Sequence, residues 1–184
     1  MKHTILPPFL RISRGNIFLK NQITNAIIYK PIGIINSPFK EPYGTPIQSA
    51  SAQNIRGTVE VFPQYAEGLK DLEGFSHIIL IYHFHLCKKF SLRVKPFLGD
   101  LLRGVFATRA PARPNPIGIS TVRLIRIEKG KLYVQGMDIV DGTPLLDIKP
   151  YVPEFDQREA EKKGWMEGKL HNLHRATDDG RFVE

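Results

Sequence analysis

The sequence predicts a mainly β domain that folds as a barrel or a strongly curled sheet. Short stretches with strand composition recur along the chain, turn-forming residues separate them at close spacing, and few stretches have a helical pattern. Strands do not alternate with long helices and no Gly-x-Gly-x-x-Gly follows a strand, which argues against a doubly wound α/β fold. With 184 residues, 42% of them hydrophobic, the chain can form one domain with a substantial core.

The individual elements are predicted from local pattern. The run 75–85 is almost continuously apolar, which is typical of a central strand buried on both faces. Segments 117–128 and 131–139 predict a hairpin, because a turn with Lys129 and Gly130 at its centre joins two apolar arms. Further strands are predicted at 26–35, where Pro31 and Gly33 indicate an edge or a bulge, and at 56–62, 105–108 and 145–151, with short helices at 64–72, 97–102 and 157–163.

These elements divide the chain into three parts. Residues 1–24 form an N-terminal appendage that could be disordered, residues 25–152 form the barrel domain, and residues 153–184 form a C-terminal extension. In the extension, Trp165 is interpreted as a packing anchor, and the last residues from Thr177 should fray.

The charge of the chain favours a polyanionic partner. The formal net charge is +8, from 26 basic and 18 acidic residues. Between Cys87 and Ile127 nine basic residues are opposed only by Asp100, and such a band suits the phosphates of RNA. A solvated basic surface without a partner is the alternative from charge alone.

Cysteine usage and hydropathy predict a cytoplasmic protein. Cys87 is the only cysteine, which excludes an intrachain disulfide and a cysteine-cluster metal site. No stretch of about 18 consecutive apolar residues occurs, so no membrane span is expected.

A proline-rich loop at 107–120 is the most distinctive stretch. Its prolines, Pro111, Pro114 and Pro116, fix φ and remove backbone donors, so neither a helix nor a central strand can run through it. The loop therefore presents Arg109, Arg113 and Asn115 at low entropic cost, as a binding edge would. A proline-rich connection with solvated arginines has the same local pattern.

Four motifs in order resemble one family's set. They are Gly104-Val-Phe-Ala-Thr-Arg109, Arg113-Pro-Asn-Pro-Ile-Gly118, Asp141-Gly-Thr-Pro144 and Asp147-Ile-Lys-Pro-Tyr151. From about Ile27 to Tyr151 the chain resembles the TrmO family, S-adenosylmethionine-dependent tRNA methyltransferases that act on threonylcarbamoyladenosine beside the anticodon. The resemblance implies a small single-sheet β-barrel, a homodimer with the cofactor near its interface, and recognition of the tRNA anticodon loop.

The resemblance also implies which residues form the site. Arg109 would fork onto the carboxylate of S-adenosylmethionine, and Arg113 or Lys149 would pair with the threonyl carboxylate. Arg113, Asn115 and Lys149 would bind the substrate, and Asp147, Tyr151 or His85 would accept the proton. The cofactor would be surrounded by Pro46, Ile47, Gln48, His85, Leu86, Arg109, Ile119, Asp138, Ile139, Val140 and Asp141.

Several alternatives remain open at the level of sequence. From the residues alone, Asp141 is interpreted as a turn residue before Gly142. His77, His83 and His85 share one strand parity, but no cysteine or carboxylate accompanies them in the strand, so we expect no metal. The family resemblance favours an enzyme; a non-catalytic S-adenosylmethionine- or RNA-binding protein, or a methyltransferase with another substrate, are the rival hypotheses.

Overall fold

The fold is a closed antiparallel β-barrel. The computed structural model describes residues 26–183, and the predicted appendage at 1–24 lies outside them. The barrel strands are β1 (Gly33–Asn36), β2 (Arg56–Val61), β3 (His77–His83), β6 (Ile117–Glu128), β7 (Lys131–Gln135) and β8 (Thr143–Pro150). Their order is β1-β2-β7-β6-β3-β8, and β8 pairs back onto β1, which confirms the mainly β barrel. A separate two-stranded ribbon joins β4 (Arg93–Val94) to β5 (Arg103–Gly104).

Alternating side chains of the barrel strands fill its interior. In β3 the buried residues are Ile78, Leu80 and Tyr82, whereas the residues between them are partly exposed on the outer face. The prediction that 75–85 is buried on both faces is therefore wrong, because a barrel strand has only one inner face. The largest fully buried side chains of the barrel are Ile35, Val59, Ile78, Leu80, Val122, Leu132, Val134, Met137 and Leu145, each of which stabilises the fold by roughly 1.5–3 kcal/mol.

The β6–β7 hairpin forms as predicted. Lys129 and Gly130 occupy the turn with φ of 48° and 78°, so both central residues have the positive φ that a type I′ turn requires. This hairpin provides the long strand whose first residues, near Ile117, approach the proline-rich loop.

Other local predictions were wrong, for identifiable reasons. Segment 26–35 forms only β1, and β1 is no edge strand, since β2 and β8 pair with its two sides. Segment 105–108 is a 3₁₀ helix at Val105–Ala107 because the Thr108 hydroxyl and N–H both donate to the Val105 carbonyl and close a turn.

The predicted helices were only partly correct. Segment 64–72 contains 3₁₀ helices at Pro63–Leu69 and Leu72–Gly74. Segment 97–102 contains no helix, and 157–163 is exposed without an apolar face to pack, so helix α1 is limited to Pro153–Asp156. In the part of the chain described, no helix has the length and apolar character needed to cross a membrane.

The C-terminal extension packs against the barrel domain. The Trp165 indole N–H donates to the Ala107 carbonyl at 2.7 Å, which confirms the packing anchor. We call residues 177–183 the C-terminal strap. The strap does not fray: the Asp178 N–H donates to the Thr45 carbonyl at 2.8 Å, and the Gly44 N–H donates to the Asp178 carbonyl at 2.8 Å.

Candidate functional site

A cavity of about 240 Å³ lies at the end of the barrel where β3 finishes and β6 begins. Its walls are formed mainly by five segments of the chain, at 42–48, 82–87, 109–119, 138–143 and 178–183. Strand β3 leads into the second wall, the proline-rich loop forms the third, and the connection after β7 forms the fourth. The barrel closure thus brings together segments that are far apart in the sequence.

All the predicted cofactor residues except Asp141 line this cavity. The carboxylate of Asp141 instead accepts the Ser37 N–H at 2.9 Å and pairs with Lys40 Nζ at 2.7 Å. The bond from Lys40, with the Ser37 N–H, lowers the pKa of Asp141. Asp141 therefore holds the turn before Gly142, in agreement with the turn alternative.

A direct hydrogen bond joins two of the predicted cofactor residues. Arg109 Nη1 donates to Gln48 Oε1 at 2.9 Å, linking the proline-rich loop to the loop at 42–48. The Gln48 amide in turn donates to the Ile47 carbonyl at 2.7 Å, which orients the amide. The two side chains form a polar edge of the cavity that can meet a carboxylate or other acceptor.

Arg113 also lines the cavity, but part of its guanidinium holds the loop. Its Nη1 donates to the Thr108 and Ala110 carbonyls at 3.0 and 3.1 Å. Because the prolines prevent strand pairing, those carbonyls have no partner strand. Arg113 binds them instead and thereby rigidifies the proline-rich loop.

Asp138 supplies a partly buried acid to the wall formed by the connection after β7. Burial raises its pKa to about 6, although the Ser120 hydroxyl, nearby backbone N–H groups and the charge of Arg109 oppose the shift. Its Oδ1 is enclosed and has no hydrogen-bond partner among the described residues. Because an unpaired buried acceptor is costly, this oxygen is suited to a donor from a bound ligand.

Tyr82 and Ser120 form a second polar pair, which the sequence analysis missed. The two hydroxyl oxygens are 3.1 Å apart, and burial raises the pKa of the Tyr82 phenol, which keeps it protonated. Tyr82 is the last inward-facing residue of β3, and this position beside the cavity is evident only once the barrel is closed.

His85 is held by Thr143 at the edge of the cavity. The Thr143 hydroxyl donates its one proton to the Val140 carbonyl at 2.6 Å and lies 3.3 Å from His85 Nδ1. Since that hydroxyl can then only accept, we assign the Nδ1–H tautomer to neutral His85, which leaves a lone pair on Nε2. Burial, followed by the charges of His83 and Lys88, lowers the pKa of His85 and favours its neutral form.

Asn115, Asp147, Lys149 and Tyr151 do not line the cavity. Asp147 and Lys149 pair with each other on the surface at 2.7 Å. Tyr151 packs edge-on against His77, at the start of β3, with ring centroids 6.3 Å apart, and the other end of a seven-residue strand is roughly 20 Å away. Within a single chain, the predicted substrate-binding residues and proton acceptors therefore do not all lie at this cavity.

The histidines of β3 are also separated. His77 contacts the Ser76 hydroxyl at 3.0 Å, and His83 lies at the opposite end of the strand. Among residues 26–183, no three His, Cys, Asp or Glu side chains converge in a way that could hold a metal ion.

A closed antiparallel barrel with a cavity of mixed polar and apolar walls defines a small-molecule-binding domain. The sequence profile of the tRNA-methyltransferase O N-terminal domain matches residues 34–157, and the chain belongs to this family.

Curated and structurally characterised relatives agree with that membership. A probable S-adenosyl-L-methionine-binding protein of Pyrococcus abyssi is 63% identical over 156 residues, which cover 85% of each chain. The human tRNA (adenine(37)-N6)-methyltransferase is 38% identical over 140 residues, 72% of this chain and 32% of that protein. The crystal structure of TrmO from Pseudomonas aeruginosa is 41% identical with a TM-score of 0.65, covering 77% of this chain and 63% of that one.

Proposed function

We propose that this protein is an S-adenosylmethionine-dependent methyltransferase that methylates N6 of threonylcarbamoyladenosine next to the anticodon of tRNA. The observation that carries the proposal is the cavity of a TrmO-family barrel in which Arg109, Gln48, Asp138 and His85 all meet. The names of the relatives support a cofactor of this kind and a tRNA substrate.

The cofactor is S-adenosylmethionine, and the cavity offers groups for each part of it. Arg109 is suited to its carboxylate, and the enclosed Asp138 oxygen to a ribose hydroxyl or the ammonium group. Apolar side chains of Ile47, Ile119 and Ile139 form walls for the adenosine.

His85 is the proton acceptor that the geometry favours. Bound S-adenosylmethionine supplies the methyl group from its sulfonium, and the acceptor nitrogen must lose a proton as it is alkylated. His85 lines the cavity, is kept neutral by its lowered pKa, and has an Nε2 lone pair because Thr143 occupies its Nδ1. Asp147 and Tyr151, the other candidates, lie away from the cavity.

Substrate binding would use the rim of the cavity and the basic surface. Arg113 and Asn115 lie in the proline-rich loop beside the cavity, so we propose that the modified adenosine enters along this loop, with Lys149 as a further candidate contact. The anticodon loop would be held by exposed lysines and arginines of 88–113.

A homodimer in the cytoplasm is the proposed working form. The segments that flank the β4–β5 ribbon expose Phe90, Leu92, Leu101, Leu102 and Phe106, each more than half exposed, which is unusual for a monomer surface. Sedimentation should give twice the monomer mass, and Leu102→Asp combined with Phe106→Asp should give the monomer mass.

Methyl transfer to tRNA tests the proposal. The purified protein is incubated with S-adenosylmethionine and tRNA from a strain lacking its own activity, and nucleosides are then analysed by mass spectrometry. We expect methylated threonylcarbamoyladenosine from the wild type. Arg109→Ala should lose at least about tenfold in cofactor affinity because a charged pair is removed. An unchanged nucleoside profile with the wild-type protein contradicts the proposal.

One observation favours a second candidate, a non-catalytic S-adenosylmethionine-binding protein. The Pyrococcus abyssi relative, matched over 85% of each chain, is named only as a probable S-adenosyl-L-methionine-binding protein. Cofactor binding by calorimetry, without methylation of tRNA under the same conditions, would select this candidate.

A further inference from the structure

One wall of the cavity comes from outside the family domain. The match to that domain ends at residue 157, yet Asp178, Phe182 and Val183 of the C-terminal strap line the cavity. The strap therefore contributes a wall of the cavity that the matched domain does not include.

Hydrogen bonds to two neighbouring segments hold the strap in position. Backbone hydrogen bonds join it to the loop at 42–48, and Thr177 bridges to Pro46. At its other end, Arg181 donates to the Lys95 and Pro96 carbonyls at 3.2 and 3.4 Å. The strap is therefore fastened on the same side as the Gln48 edge of the cavity.

The Phe182 ring is held edge-on against Phe97. The ring centroids are 5.3 Å apart with an interplanar angle of 80°, and both residues line the cavity. Such a fixed aromatic pair offers an apolar surface at little entropic cost.

Asp178 adds a second acid to the cavity beside Asp138. Its Oδ1 accepts the Gly180 N–H at 2.7 Å, which orients the carboxylate, and the residue is half-buried. The two acids face a cavity whose proposed ligand carries a sulfonium and an ammonium charge, so a second carboxylate complements that ligand.

We propose that the C-terminal strap is part of the cofactor site, with Asp178 supplying negative charge to the cationic cofactor and Phe182 covering its apolar part. Binding of S-adenosylmethionine then depends on residues beyond the family domain. This inference rests on the proposed function for the identity of the ligand.

Calorimetry with S-adenosylmethionine on the full chain tests the role of the strap. Asp178→Asn and Phe182→Ala should each weaken binding by about tenfold, because one removes a partly desolvated charge and the other an aromatic contact. Phe182→Leu should recover most of the affinity, since it restores apolar cover. Asp100→Asn is the matched control, because Asp100 is exposed and lies outside the cavity.

The outcomes separate the strap from the proposed function. If Asp178→Asn and Phe182→Ala bind as tightly as the wild type while Arg109→Ala is weakened, the inference about the strap is overturned and the proposed cofactor stands. If the wild type does not bind S-adenosylmethionine, both are refuted. Emission of Trp165, the only tryptophan, reports whether each variant retains the packing of the extension.

Discussion

At the scale of single residues, the site combines polar groups whose burial or hydrogen bonding changes their protonation or leaves an acceptor unpaired. Among residues 26–183 one enclosed oxygen of Asp138 has no hydrogen-bond partner, His85 is held in one tautomer by Thr143, and Tyr82 is buried beside Ser120. An unliganded protein bears the cost of such groups, and ligand contacts offset it. This arrangement predicts opposite effects of single substitutions on stability and on binding.

Asp138→Asn should stabilise the protein at neutral pH and weaken cofactor binding. The pKa of Asp138 is raised from 3.8 to about 6 in the folded protein, so the unfolded chain loses its proton first as pH rises. The wild type therefore loses free energy of unfolding between pH 4 and pH 6, on the order of 2 kcal/mol, and Asp138→Asn does not.

Urea unfolding of both proteins at pH 4 and pH 7 measures this difference, and comparison of the pair cancels the other titrating groups. If the free energy of unfolding depended on pH equally in the wild type and in Asp138→Asn, burial would not be raising the pKa of Asp138.

His85→Gln should slow methyl transfer by about 10²–10⁴-fold, because a positioned base is removed. The wild-type rate should rise with pH to a plateau and be half-maximal below pH 6.5, since burial lowers the pKa of His85 and only the neutral ring accepts a proton. Single-turnover rates across pH measure both effects.

The control for this prediction lies in Thr143. Thr143→Ser keeps the hydroxyl and should retain the rate, whereas Thr143→Val removes the group that accepts from Nδ1 and should lower it. A wild-type rate in His85→Gln would exclude His85 as the proton acceptor.

At the scale of elements, the contact between β3 and β6 positions the cavity. Gly118 pairs directly with Tyr82 across the two strands. A Cβ at Gly118 would lie 2.5 Å from Tyr82 Cζ and 2.9 Å from Phe84 Cζ, so the absence of a side chain lets both rings reach the cavity.

Gly118→Ala should therefore destabilise the fold by about 1–3 kcal/mol, as overpacking does. It should also weaken cofactor binding, because Tyr82 must move. The matched control is Gly68→Ala, where an added Cβ meets no atom within 4 Å. Thermal unfolding and calorimetry measure the pair, and equal stability of the two variants would contradict the packing argument.

At the scale of the whole molecule, the charge distribution matters for tRNA. The chain carries a formal net charge of +8, and nine basic residues opposed only by Asp100 lie between Cys87 and Ile127. Binding to phosphates releases counterions, so affinity for tRNA should fall steeply with salt.

Lys89→Ala combined with Arg93→Ala should reduce the slope of log affinity against log salt by roughly 1–2, if both exposed side chains contact phosphates. Lys162→Ala combined with Lys163→Ala changes net charge equally in the exposed extension and serves as the control. A loss of the same size in both double variants would show that only net charge, and not this surface, matters.

Local pattern in the sequence was sufficient to predict much of the secondary structure. Alternating apolar residues and the Lys129-Gly130 turn predicted β-strands and the hairpin, because strand faces and turn dihedrals depend on neighbouring residues. The motif resemblance predicted the barrel and the family, and most of its cofactor residues lie on one cavity, although their roles remain predictions.

Tertiary structure decided what depends on contacts between distant residues. Pairing of Gly33 with Leu145 closes the barrel, and this closure makes Tyr82 and Thr143 cavity residues. The tertiary structure also pairs the Asp141 carboxylate with Lys40, and it brings Asp178 and Phe182 to the cavity. No local pattern predicts these outcomes, because each depends on partners about 60 to 140 residues away and on the burial that their contact creates.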